Sequence, residues 1–83
     1  LKLLHINCRS ILSETKMTHL ETILIKHKID IASLNETFLS NNSDFNLLNY
    51  DIIRCDRKNK RGGGAALCIR KSIEFTPISL ESM

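Results

Sequence analysis

Apolar residues recur along the chain with two different periods, and the places where the period changes mark out the elements. Leu3-Leu4-His5-Ile6 is a short apolar run that breaks into the polar turn Asn7-Cys8-Arg9-Ser10, which predicts a buried strand with Asn7 at its carboxyl end. From Ser13 the spacing becomes helical: Met17, Leu20, Ile23, Leu24 and His27 fall on one face. Ser13 suits the helix start, with Glu14 in the first turn and Lys26, His27 and Lys28 at the other end, as the helix dipole favours. The run Ile29-Asp30-Ile31-Ala32-Ser33-Leu34 then predicts a second strand, which ends abruptly in Asn35-Glu36-Thr37-Phe38. Strand, helix, strand with short links is the grammar of a right-handed parallel crossover. Two parallel strands release their chains at the same edge, so Asn7 and Glu36 are expected on the rim where open α/β sheets hold ligands.

Beyond Glu36 the loop Ser40-Asn41-Asn42-Ser43-Asp44 is rich in turn formers, and Phe45, Leu47 and Leu48 are expected to fold it back onto the core. Tyr50 to Cys55 alternates as a strand, with Tyr50, Ile52 and Arg54 on one face and Asp51, Ile53 and Cys55 on the other. The segment Asp56 to Gly64 leads into Ala65-Ala66-Leu67-Cys68-Ile69-Arg70, which predicts an antiparallel hairpin with a long basic loop. A weaker strand is expected over Ile73 to Ile78. The fold class is therefore α/β, or α+β in stricter usage, within one small domain over 1–83.

The 83 residues support only a thin core, since a chain this short buries roughly 60% of the surface its unfolded form exposes. Leu1 opens directly into a strand, and Pro77-Ile78-Ser79-Leu80 runs apolar toward Met83 without a closing element, so the expectation is the amino-terminal portion of a longer domain. Twelve basic and nine acidic side chains give a net charge of +3, too mild to define a nucleic-acid partner without a local cluster. No apolar run approaches the ~18 residues that span a bilayer and no signal-peptide pattern precedes the first strand, which predicts a protein inside the cell with no membrane partner. Cys8, Cys55 and Cys68 are odd in number and lack C-x-x-C spacing; they are expected to be reduced, small and mostly buried rather than paired or zinc-bound.

Charge becomes informative only where it clusters. Arg57, Lys58, Lys60 and Arg61 are followed by Gly62-Gly63-Gly64, a combination that suits close contact with a phosphate backbone or, equally, a solvated hairpin tip. The glycines do not form a P-loop, because no G-K-[ST] follows and they open a strand rather than a helix. Glu36 is a carboxylate at the mouth of an apolar strand, a position that calls for a partner. It reads either as a ligand for magnesium, which takes a carboxylate oxygen together with substrate phosphate and waters, or as a surface charge paired with a nearby Arg. Asn7 can turn its amide toward a phosphate oxygen or a metal-bound water, or toward its own backbone. His5, His19 and His27 fall in no recognisable catalytic or zinc motif.

These segments, taken in order and spacing, resemble the amino-terminal part of the endonuclease/exonuclease/phosphatase superfamily. The N-C-R-S turn at Asn7–Ser10, the L-x-E-T motif at Leu34–Thr37 and the R-x-D-R run at Arg54–Arg57 followed by triple glycine look most like the endonuclease domain of non-LTR (LINE-type) retrotransposons. The resemblance implies a four-layered α/β sandwich and hydrolysis of a phosphodiester by metal-activated water. It assigns Glu36 to the divalent metal, Mg2+ or Mn2+, and Asn7 to the metal and scissile phosphate, both as catalytic residues. It further implies DNA as partner, a fused reverse transcriptase and a nuclear location. Charge adds Arg9, Arg57, Lys58, Lys60 and Arg61 as DNA contacts. A complete domain of that family also carries, in its later half, a D-x-N pair and a terminal Asp-His pair; no Asp-His pair occurs here, and the one D-x-N, Asp44-Phe45-Asn46, lies in the polar loop ahead of Tyr50 rather than in a later half. The expectation is therefore a fragment inactive by itself. Two alternatives stay open: another branch of the superfamily, acting on abasic DNA or on inositol or sphingomyelin phosphates, and a degenerate, non-catalytic DNA-binding remnant.

Overall fold

Ser13 ends the first polar turn and starts the helix. In the computed structural model, which describes residues 1–40, 42–56 and 63–78, its Oγ accepts from the Lys16 amide at 3.0 Å and its backbone is extended (φ −82°, ψ 141°). This is the N-cap geometry that the serine was expected to supply. Helix α1 spans Glu14–Lys26; it buries Leu20 and Leu24 and half-buries Met17 and Ile23, while His27 is an exposed C-cap whose amide donates to the Ile23 carbonyl. Lys28, at φ 51°, turns the chain, and the second strand starts at Ile31, two residues later than its apolar run suggests.

Strands β1 (Leu3–Asn7) and β2 (Ile31–Asn35) are parallel, in a register that sets Leu4 against Ala32 and Asn7 against Asn35. Strands β3 (Tyr50–Cys55) and β4 (Ala65–Arg70) form the expected antiparallel pair. The sheet order is β1-β2-β4-β3, so β4 lies inside, antiparallel to β2, and β3 forms an edge. Hairpin grammar pairs β3 with β4 but does not say which of them joins β2. The inner position falls to the strand with Ala66 and Cys68 on its covered face, both buried beside Ala32 and Leu34.

One face of the sheet meets the helix. Leu4 and Ile6, Ala32 and Leu34, Ala66 and Cys68, and Tyr50 and Ile52 belong to one cluster with Leu20 and Leu24. Phe45 and Leu47 close that cluster as expected, whereas Leu48 is exposed. The Tyr50 hydroxyl donates within the core to the Ile29 carbonyl, so the one buried phenol is satisfied. The opposite face is open in part: Leu3 is 70% exposed, and Ile53 and Leu67 are 38% and 36% exposed, while Ile69 on the same face is buried.

Two expectations are corrected here. Residues 73–78 form no strand; the Ile73 amide donates to the Arg70 carbonyl, which turns the chain off β4, and Pro77 has no N–H for a ladder. Cys55 is exposed rather than buried, because it shares the uncovered face of β3 with Ile53. Cys8 is half-buried and Cys68 fully buried, and all three thiols are free. Burial, with Cys8 nearby, pushes the Cys68 thiol up to about 12. It stays protonated and inert at neutral pH.

Candidate functional site

The parallel register carries Asn7 and Glu36, the two candidate residues, to one rim. Asn7 pairs with Asn35 at the carboxyl ends of β1 and β2, and the pairing continues past both strands. The amides of Cys8, Ser10 and Ile11 donate to the carbonyls of Asn35, Glu36 and Thr37 at 2.9, 2.7 and 2.9 Å. The Asn7–Ile11 turn and the Asn35–Thr37 segment thus run side by side, continuing the parallel pairing of β1 and β2. Three residues here hold left-handed backbone, Arg9 (φ 47°), Ser10 (φ 83°) and Glu36 (φ 52°), a concentration of strain typical of functional rims.

Within the turn, Asn7 takes the backbone option: its Oδ1 accepts from the Arg9 amide at 3.3 Å, an Asx turn. Sequence reasoning missed the residue that ties the turn down. Lys16, in the first turn of α1, extends its Nζ to the carbonyls of Cys8, Arg9 and Ser10 at 3.3, 3.0 and 3.0 Å. Its only sequence signal was its closeness to the Ser13 cap, since a first-turn side chain leans back over the incoming loop.

Glu36 is half-buried, and none of the three ion pairs among the described residues includes it, so its reading as a surface charge paired with Arg gains no partner there. Its neighbour Thr37 is fully buried, and its Oγ1 has no hydrogen-bond partner among the described residues. The glycines explain the crowding. The Thr37 and Phe38 amides donate to the Gly64 and Gly63 carbonyls at 3.3 and 2.8 Å, and a Cβ on Gly64 would stand 2.9 Å from Thr37 Oγ1. Gly64 also holds φ 84°, so both its missing side chain and its backbone freedom are used here.

Asp56 and Gly63, the described ends of the basic loop, lie next to the strand termini Cys55 and Ala65, which pair with each other and, through Asn35, reach the Glu36 rim. The cations Arg57, Lys58, Lys60 and Arg61 fall outside the described residues; Arg9 is exposed on the turn. Arg54 is engaged internally, with Asp56 at 2.7 Å and the carbonyls of Ser40 and Ser43 at 2.8 Å each. It ties Ser40 and Ser43 to β3.

A shallow groove of about 230 Å³ beside β1 is lined by Asn7, Cys8, Lys16 and His19 among others, and Glu36 is not part of it. No three His, Cys, Asp or Glu side chains converge among the described residues. No helix among them is long and apolar enough to cross a membrane. The described residues form a small mixed α/β unit with one four-stranded sheet and one helix. No protein-family model matches it, and no curated protein matches it.

Proposed function

We propose that the chain is the metal-and-phosphate corner of a divalent-metal-dependent phosphodiesterase of the endonuclease/exonuclease/phosphatase type, specifically a DNA-nicking endonuclease of a non-LTR retrotransposon. The observation that supports this most is the parallel β1–β2 register, which sets Asn7 and Glu36 on one rim beside the stems of a basic loop. The open sheet face, with Leu3, Ile53 and Leu67 exposed, suits a second sheet packed across it, as a four-layered sandwich requires.

Magnesium fits this rim by the chemistry of its donors. A half-buried carboxylate beside a strained turn, with no ion pair to a described residue, suits a cation that keeps several waters and takes few protein ligands. Glu36 would hold the ion and Asn7 would orient the scissile phosphate; bound there, the metal supplies Lewis-acid polarisation and charge stabilisation. Arg9 and the basic loop would contact the DNA backbone. With no Asp-His pair in the sequence, the base and its orienting partner are missing, so the chain alone is expected not to nick DNA.

The test is a Mn2+ titration of the 15N-labelled chain. Paramagnetic broadening centred on Asn7 and Glu36 is expected, and Glu36→Gln should remove it without altering the circular dichroism spectrum. Broadening that survives Glu36→Gln takes Glu36 out of the site. A plasmid assay run alongside should show no nicking in Mg2+, and salt-dependent DNA binding without metal binding would favour the non-catalytic module instead.

A further inference from the structure

We propose that Lys16 is a positioning residue for the Asn7 rim, holding the strained turn through its three ammonium donors rather than offering its charge to a ligand. The inference rests on the proposed metal-and-phosphate corner, whose turn it holds.

Three successive carbonyls, those of Cys8, Arg9 and Ser10, converge on one Nζ. Successive carbonyls of an extended strand point to alternate sides, so this convergence requires the left-handed backbone of Arg9 and Ser10. Amides of the same turn are spent on the end of β2 and the residue after it: those of Cys8 and Ser10 donate to the carbonyls of Asn35 and Glu36. The turn is thus fastened on one side by the sheet and on the other by a cation that offsets the clustered carbonyl dipoles. Charge-assisted hydrogen bonds of this kind exceed neutral ones in strength.

The geometry suits lysine specifically. An ammonium is a compact point with three donors, and here each finds an acceptor. A guanidinium spreads its donors over a planar fork and cannot occupy one point between three oxygens. A residue that merely attracted phosphate would tolerate the change to arginine; a residue that fills this point would not.

What the turn holds is the Asx bond from the Arg9 amide to Asn7 Oδ1, which fixes the asparagine amide on the rim and sets the direction of Arg9. Releasing Lys16 frees both.

The experiment compares the 83-residue chain with Lys16→Met, Lys16→Arg and Glu36→Gln by NMR. In the unsubstituted chain the Nζ protons of Lys16 should exchange slowly enough to detect, unlike those of exposed Lys26; equal exchange at both overturns the inference whatever the variants do. In Lys16→Met, exchange of the Arg9 amide should accelerate at least about tenfold, with helix and sheet amides unchanged. Mn2+ broadening at Asn7 should weaken in the same variant. Lys16→Arg should resemble Lys16→Met; full retention of the unsubstituted behaviour in Lys16→Arg, or an unchanged Arg9 amide in Lys16→Met, overturns the inference. Glu36→Gln should leave the Lys16 and Arg9 signals intact. If Mn2+ broadening survives that substitution, the metal reading fails while the fastening of the turn stands or falls on the exchange data alone.

Discussion

Thr37 and Gly64 are fitted to each other within a few tenths of an ångström. A methyl group on Gly64 would stand 2.9 Å from a fully buried hydroxyl and 3.4 Å from the Cys55 carbonyl, at φ 84°. Gly64→Ala should therefore destabilise the chain by about 2 kcal/mol in urea unfolding, combining left-handed backbone strain with overpacking. Thr37→Val should be neutral or slightly stabilising, because the hydroxyl it removes has no partner among the described residues. In a double-mutant cycle, Thr37→Ala should recover part of the Gly64→Ala loss. Independent, additive effects would show that the two residues do not meet. Glu36 stood out in the sequence as a charge ending an apolar run. Its neighbour did not, because a threonine after a strand looks the same whether its hydroxyl faces water or a glycine from a distant strand.

At the scale of elements, Asp30 joins the amino ends of β1 and β2 to the carboxyl end of β4. Its Oδ2 accepts from the Lys2 amide at 2.6 Å, its Oδ1 faces Arg70 Nη1 at 3.2 Å, and its carbonyl accepts from the Arg70 amide at 2.9 Å. The Lys2 amide first, and then Arg70, hold its carboxyl below the ordinary carboxylate range against some desolvation. A carboxylate depressed in the folded state stabilises above its unfolded value, and that stabilisation is lost as pH falls through the folded one. Urea midpoints should therefore drop below about pH 4, and Asp30→Asn should flatten that drop while lowering stability at neutral pH. A variant with the same acid profile as the parent would show that this junction does not carry the pH dependence. Aspartate inside an apolar strand was visible in the sequence. Its partners were not, since Lys2 and Arg70 lie 28 and 40 positions away.

Across the whole molecule the two faces of the sheet differ in what they exclude. Leu34 is fully buried under α1, so Leu34→Ala should cost about 2–5 kcal/mol. Leu3, 70% exposed on the open face, should tolerate Leu3→Thr within about 0.5 kcal/mol. Equal costs in urea unfolding would mean that the second face is covered in solution. The uncovered apolar residues are what the sandwich proposal would use, and they account for the exposure of Cys55.

The sequence by itself determined the α/β class, the capped helix from Ser13, and the parallel pair that brings Asn7 and Glu36 to one edge. These follow from period and short connections, which are local properties of a chain. Tertiary structure decided that β4 rather than β3 lies beside β2, that Lys16 reaches three carbonyls of the Asn7 turn, and that Thr37 is roofed by Gly64. Each depends on which distant segments meet. Period records the face a side chain is on, and only packing supplies what that face touches.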